Sequence, residues 1–169
     1  MNDVDARARY LDQLEHVPIR EVSVGFMDIE LLAGDELDQV QIGFAVAPDG
    51  TVLTGTDPRD WKEHWLVIAM ETSMDDPIFI DTRDPALPVY TVGHDMDWSA
   101  PTRIADSFEG FGEGLRLVHE TAGGNTTPIQ LEENPLSDEA LGQLIKRVLD
   151  RNPESDTLFW RSFFRFGEA

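Results

Sequence analysis

Aspartate and histidine side chains gather in the middle of this 169-residue sequence, where they could ligate a metal ion. The run His94-Asp95-Met96-Asp97 offers one imidazole and two carboxylates, and Asp76 and Asp81 bound a preceding apolar run. Such groups ligate zinc, calcium and magnesium. None of the four histidines, at 16, 64, 94 and 119, fits an HExxH or similar pattern. A solvated acidic turn explains these residues more simply, so we predict no metal site and keep a metal-dependent hydrolase as a minor alternative.

The other residue types used in catalysis also lack a supporting pattern. Ser107 has no base nearby in sequence and stands at a predicted helix start, so we interpret it as a capping residue rather than a nucleophile. There is no phosphate-binding loop, and Gly110, Gly112 and Gly114 do not have dinucleotide-binding spacing. Cysteine is absent, which excludes thiol chemistry. With 33 acidic residues, carboxylate pairs for acid–base catalysis arise readily by chance. We predict a protein that is not an enzyme, with no catalytic residue and no cofactor.

Tryptophan supplies the candidate binding residues. Trp65 opens an apolar run and is interpreted as a core residue, whereas Trp61 and Trp98 lie in polar stretches, where an exposed indole would suit a protein-binding surface. Packing of all three on the sheet is the simpler interpretation and is slightly favoured. The candidate partner-binding residues are therefore Trp61, Asp76, Asp81, His94 and Trp98.

The charge of the chain narrows the class of partner. Against 33 acidic residues stand 13 lysines and arginines, which gives a net charge of −20. Such a surface repels phosphate backbones and anionic lipids, so we expect neither direct nucleic-acid binding nor membrane binding. A basic protein partner is favoured, with solubility alone as an equally weighted explanation of the acidity. The oligomeric state is not indicated by the sequence.

Length and patterning predict one domain over residues 1–169. The first residues lack the basic and apolar regions of a secretion signal, and no apolar run approaches 18 residues, so we expect a cytoplasmic protein.

Periodicity predicts an α+β fold built around three antiparallel strands and a helix that crosses them. That helix should begin with Asp106 as its cap and Glu109 closing a capping box. The central elements are strands near 66–70, 77–81 and 88–92 and a helix near 107–120. Flanking elements are a helix near 3–16, a strand at 21–32, an acidic turn at 34–38, a hairpin of 40–46 with 51–53, and a helix near 137–149. The aromatic tail at 157–169 should pack down as a strand or a short helix.

Several short motifs in residues 40–120 occur together in a fixed order. They are Trp65-Leu66-Val67-Ile68-Ala69, Asp76-Pro77-Ile78-Phe79-Ile80-Asp81, Pro88-Val89-Tyr90, His94, Trp98 and Ile104-Ala105-Asp106-Ser107-Phe108 followed by Phe111. In this order and spacing the chain resembles the SUKH superfamily, also called the Smi/Knr family. Members usually carry glycine where this chain has Asp75.

The resemblance implies a curved, mainly antiparallel sheet with helices packed against it. It also implies a non-enzymatic protein-binding function. Bacterial members resemble immunity proteins that neutralise polymorphic toxins, often nucleases or deaminases, and this is our leading hypothesis. The alternative is a regulatory or scaffold module of the same fold, as in the fungal members that regulate cell-wall synthesis.

Overall fold

Six antiparallel strands follow one another in space in the same order as in sequence. The computed structural model describes residues 3–93 and 98–165. The strands are β1 (Glu21–Val24), β2 (Met27–Glu30), β3 (Trp65–Glu71), β4 (Asp76–Asp81), β5 (Val89–Thr91) and β6 (Thr102–Ala105). Each strand pairs with the next, and the sheet curls into a half-barrel. The predicted α+β class and the antiparallel β3-β4-β5 meander are confirmed.

Helices occupy both ends of the chain and the long connections. They are α1 (Asp3–Leu14), α2 (Gly34–Gln39), α3 (Phe108–Ala122), α4 (Pro128–Glu133), α5 (Asp138–Leu149) and α6 (Thr157–Ser162). The tail therefore forms a short helix up to Ser162, one of the two predicted outcomes.

Helix α3 has the predicted inward stripe, and of the two residues interpreted as its cap, Ser107 is confirmed and Asp106 is not. Its Phe108, Phe111, Leu115 and Val118 are fully buried, because side chains three or four residues apart share one face of a helix. The cap is Ser107, whose hydroxyl accepts a hydrogen bond from the Gly110 amide. The prediction that Asp106 caps the helix is wrong. The Asp106 carboxylate instead accepts from the Glu154 amide at 3.0 Å and thereby holds the chain that leads into α6.

The segment from 152 to 160 closes the outer edge of β6. Trp160 is fully buried, and its indole N–H donates to the Ile104 carbonyl at 3.0 Å and to the Ser155 hydroxyl at 2.8 Å. The Asp156 amide donates to the Arg103 carbonyl at 2.8 Å. These two carbonyls belong to the edge strand of the sheet, where they could otherwise bond to a further strand. They are instead satisfied within the chain.

Three predicted elements before β3 are corrected. The single strand expected at 21–32 is the hairpin of β1 and β2, with Gly25 at φ 65° in its turn. The expected acidic turn at 34–38 is helix α2. The hairpin expected at 40–46 and 51–53 does not form as strands, since this region is a loop with two isolated bridges, Ile42 to Val46 and Val46 to Val52. Strand β6 and helix α4 were not predicted.

Replacing two helical glycines by alanine, one in α3 and one in α5, tests how α3 packs. The two substitutions should change the stability of the protein in opposite directions. In Gly114→Ala the added methyl group would overlap the six-membered ring of Trp160, whereas nothing lies within 4 Å of a methyl group added at Gly142 of α5. We expect Gly114→Ala to lower the free energy of unfolding by about 1–3 kcal/mol through overpacking. Gly142→Ala should raise it by about 1 kcal/mol, the difference in helix propensity. Urea titration of both variants measures this, and a Gly114→Ala protein as stable as the Gly142→Ala protein would contradict the described contact.

Candidate protein-interaction surface

Strands β3 and β4 are buried on both faces of the sheet. Successive side chains of a strand point to opposite faces, yet all residues from Leu66 to Ala69 and from Pro77 to Ile80 are buried. Ile68, Ile78 and Ile80 belong to the large core under the helices. Val67 and Phe79 belong to a second, smaller core on the other face. That second core is covered by residues 40–64, here called the cover segment.

Trp61 is the centre of this second core. Its ring centroid lies 4.9 Å from that of Phe79, 5.1 Å from those of Phe44 and Trp98, and 5.3 Å from that of Trp65. Only 2 % of Trp61 is exposed, and its indole N–H donates to the Trp65 carbonyl at 3.2 Å. Edge-to-face and tilted contacts of this kind stabilise aromatic pairs. Packing of Trp61 on the sheet, the simpler of the two interpretations, is therefore confirmed, and an exposed indole at this position is wrong. Trp61 holds the cover segment on the sheet.

Trp98 lies at the rim of the same core. It is half-buried, with its ring 5.8 Å from Phe44 and at 89° to Trp61. Trp65 and Tyr90 are also half-buried at this rim. The structure thus brings together the two tryptophans that the sequence singled out, one as a core residue and one as a partly exposed neighbour.

A glutamine side chain fastens the cover segment to the sheet. Strand β2 meets β3 at the pair Ile29 and Glu71, and the chain then turns into α2. Further along β3, at Val67, the side-chain amide group of Gln41 makes the hydrogen bonds that a neighbouring strand would otherwise make. Its Nε2 donates to the Val67 carbonyl at 2.8 Å, and its Oε1 accepts from the Val67 amide at 3.2 Å. Nε2 also donates to the Leu37 carbonyl at 2.9 Å. No sequence pattern indicated this role, because Gln41 occupies the polar position of an alternating pattern.

Asp81 lies beside this face and is already engaged within the chain. Its Oδ2 is 2.6 Å from Arg83 Nη2 and 4.0 Å from His64 Nε2. Burial alone would raise the pKa of Asp81, but hydrogen bonds from the Arg83 side chain and amide outweigh it and lower that pKa. Desolvation lowers the pKa of His64, and the Asp81 charge opposes this effect. Asp81 is consequently an ionised partner of Arg83, and the neighbouring His64 ring lies 6.0 Å from the ring of Trp65.

Asp76 lies far from the other candidates. Asp81 pairs with Trp65 at one end of β3, and Asp76 pairs with Glu71 at the other. Five residues of extended strand span about 17 Å, and an odd separation places the two carboxylates on opposite faces of the sheet. They cannot share a metal ion. Within residues 3–93 and 98–165, no three His, Cys, Asp or Glu side chains are grouped so that they could hold one. The candidate His94, with Asp95 and Asp97, falls outside the described residues.

Three large apolar side chains of the cover segment are exposed to solvent. Ile42, Val52 and Leu53 are 39 %, 67 % and 42 % exposed, and together they form what we call the crest. Ile42 and Val52 both bridge to Val46 in the backbone, so they lie on either side of one short stretch of chain. The sequence offered no signal for the crest, because its residues were assigned to regular strands.

The crest belongs to a stretch of the chain without cations. From position 21 to position 58 there are eight acidic residues and no lysine or arginine. The acidic residues are Glu21, Asp28, Glu30, Asp35, Glu36, Asp38, Asp49 and Asp57. Arg7 pairs with Asp38 at 2.6 Å, and Arg59 Nε donates to the Asp57 carboxylate at 3.1 Å. Lys62 donates to the backbone carbonyl of Asp57. Hairpin β1–β2, helix α2 and the crest thus carry a strong excess of negative charge.

Comparison of the chain with protein-family models, with curated proteins and with solved structures gave no match. Among residues 3–93 and 98–165, no helix has the length and apolar character needed to cross a membrane.

Removal of the Gln41 amide should loosen the cover segment. In Gln41→Ala the Val67 amide and carbonyl lose their partners, and unsatisfied buried polar groups of this kind destabilise a fold by about 1–3 kcal/mol. Gln39→Ala is the matched control, since Gln39 is exposed at the end of α2. Thermal unfolding should show a lower Tm for Gln41→Ala and a change near zero for Gln39→Ala. Equal effects of the two substitutions would contradict the bridging role of Gln41.

Proposed function

We propose that this protein is a non-enzymatic binding protein of the SUKH superfamily, and that it acts in the cytoplasm as an immunity protein against a basic toxin domain of the nuclease or deaminase type. One observation carries the proposal. The stretch from position 21 to 58 combines eight acidic residues, no cation and an exposed apolar crest. A stretch that carries charge of one sign together with exposed apolar side chains is suited to binding a protein of opposite charge.

Long-range attraction explains why such an arrangement favours a toxin inhibitor. A toxin must be captured before it acts, and complementary charge raises association rates well above those of neutral surfaces. Toxins that act on nucleic acids need basic surfaces to bind phosphate backbones. An acidic inhibitor can occupy such a surface as a substitute for the nucleic acid.

The family resemblance supports the same proposal independently of charge. Asp75 precedes β4 with φ 57°, in the left-handed region where glycine is favoured. Glycine is the residue that the resemblance places at this position.

Salt should act mainly on the association rate of the complex. The proposal expects a basic toxin domain to be encoded beside this gene, and the probe is a catalytically inactive variant of that domain, mixed with the protein in a stopped-flow instrument. The screening length falls from about 10 Å at 0.1 M to about 3 Å at 1 M salt. We therefore expect the association rate constant to fall by one to two orders of magnitude over this range, while the dissociation rate constant changes little.

Paired variants locate the charge that matters. Glu36→Gln with Asp49→Asn removes two charges from the cation-free stretch, and Glu132→Gln with Glu133→Gln removes two exposed charges from α4. The first pair should slow association more than the second. Coexpression should also restore growth of cells that carry the active toxin. A toxin that is neither bound nor neutralised, or binding insensitive to salt, would refute the proposal.

A further inference from the structure

We propose that the crest is the docking site for the basic partner, which receives Ile42, Val52 and Leu53 in an apolar depression flanked by lysine and arginine. This inference rests on the proposed function, and it adds the surface and the chemistry of the contact. It differs from the sequence prediction, which placed the contact at Trp61, Asp76, Asp81, His94 and Trp98.

Ile42 and Val52 form the centre of the crest. Val46 bridges to Ile42 on one side and to Val52 on the other, so these residues carry their side chains to one face, and Leu53, next to Val52 in the chain, is exposed beside that face. Neighbouring extended segments lie about 5 Å apart, so Ile42 and Val52 are separated by roughly 10 Å across Val46. Isolated exposed apolar residues are ordinary on protein surfaces, whereas a contiguous patch within a charged rim marks an interaction site.

Backbone hydrogen bonds hold the patch in shape. The Gly43 amide donates to the Val46 carbonyl at 2.7 Å, the Ala47 amide to the Thr51 carbonyl at 2.8 Å, and the Leu53 amide to the Ala45 carbonyl at 2.9 Å. Below the patch, Val40, Phe44 and Ala45 pack on the core around Trp61. A surface already ordered in the free protein loses little conformational entropy on binding.

Charge decides what kind of molecule covers the crest. At its tip the Asp49 carboxylate is held by the Thr51 amide at 2.9 Å, and Asp35 and Glu36 are exposed on the helix that precedes the crest. A second copy of this chain would bring two charges of −20 together, and an anionic membrane would be repelled as well. A cationic protein surface satisfies both the apolar patch and its acidic surroundings.

Synthetic peptides test this surface without the natural partner. The probes are an amphipathic leucine–lysine helix, an all-lysine peptide of the same charge and a leucine–serine peptide, each titrated into the ¹⁵N-labelled protein and followed by amide chemical shifts. We expect the leucine–lysine peptide to bind most tightly and to shift the amides of residues 42–53. The double variant Val52→Ser, Leu53→Ser should raise its Kd at least about tenfold, since the apolar burial is lost.

Ile129→Ser is the control, because Ile129 is 69 % exposed on α4, outside the crest, and its loss should leave the Kd unchanged. Shifts of residues outside 40–64, or equal effects of the two sets of substitutions, would overturn the crest as the docking site and leave the proposed function intact. Failure of both lysine peptides to bind would count against the basic partner itself. The mapping on the unsubstituted protein decides the location even if the double variant folds poorly.

Discussion

Burial of β3 and β4 on both faces is the constraint from which the rest of this structure follows. Antiparallel sheets commonly leave one face in water, but here Val67 and Phe79 carry apolar side chains to the face away from the helices. Helices α1, α3, α5 and α6 contribute buried residues to the core on one face. The other face requires a cover of its own, and residues 40–64 supply it with Trp61 as the main packing residue.

The proposed interaction surface is a consequence of that cover. A loop that lies over a sheet has an inner side fixed by packing and an outer side free to carry recognition residues. Phe44 and Trp61 use the inner side, while Ile42, Val52 and Leu53 remain outside. The sheet therefore orders the surface, and under the proposed function the acidic residues of the same stretch favour a basic partner.

Sequence patterns predicted the parts of the fold that depend on local periodicity. The apolar runs of β3, β4 and β5 and the stripes of α3 and α5 each specify their own element, so these were found. The cover segment was assigned wrongly because Ile42 and Phe44 alternate as in a strand, whereas Gly43 has φ 96° and turns the chain between them. The burial of Trp61 depends on Phe79, 18 residues away, so the polar residues beside Trp61 in the sequence wrongly suggested an exposed side chain. Likewise, the role of Gln41 depends on a strand that begins 24 residues later.

Amide hydrogen exchange of the free protein tests the central claim, that the cover segment is an ordered layer of the fold. If it is, the Val67 amide, which bonds to the Gln41 side chain, should exchange nearly as slowly as the other amides of β3 and those of β4. The amides of Ala47, Leu53 and Gly55 should be clearly protected as well. Exchange of the cover-segment amides at the rate of an unstructured peptide, with β3 and β4 still protected, would contradict the account.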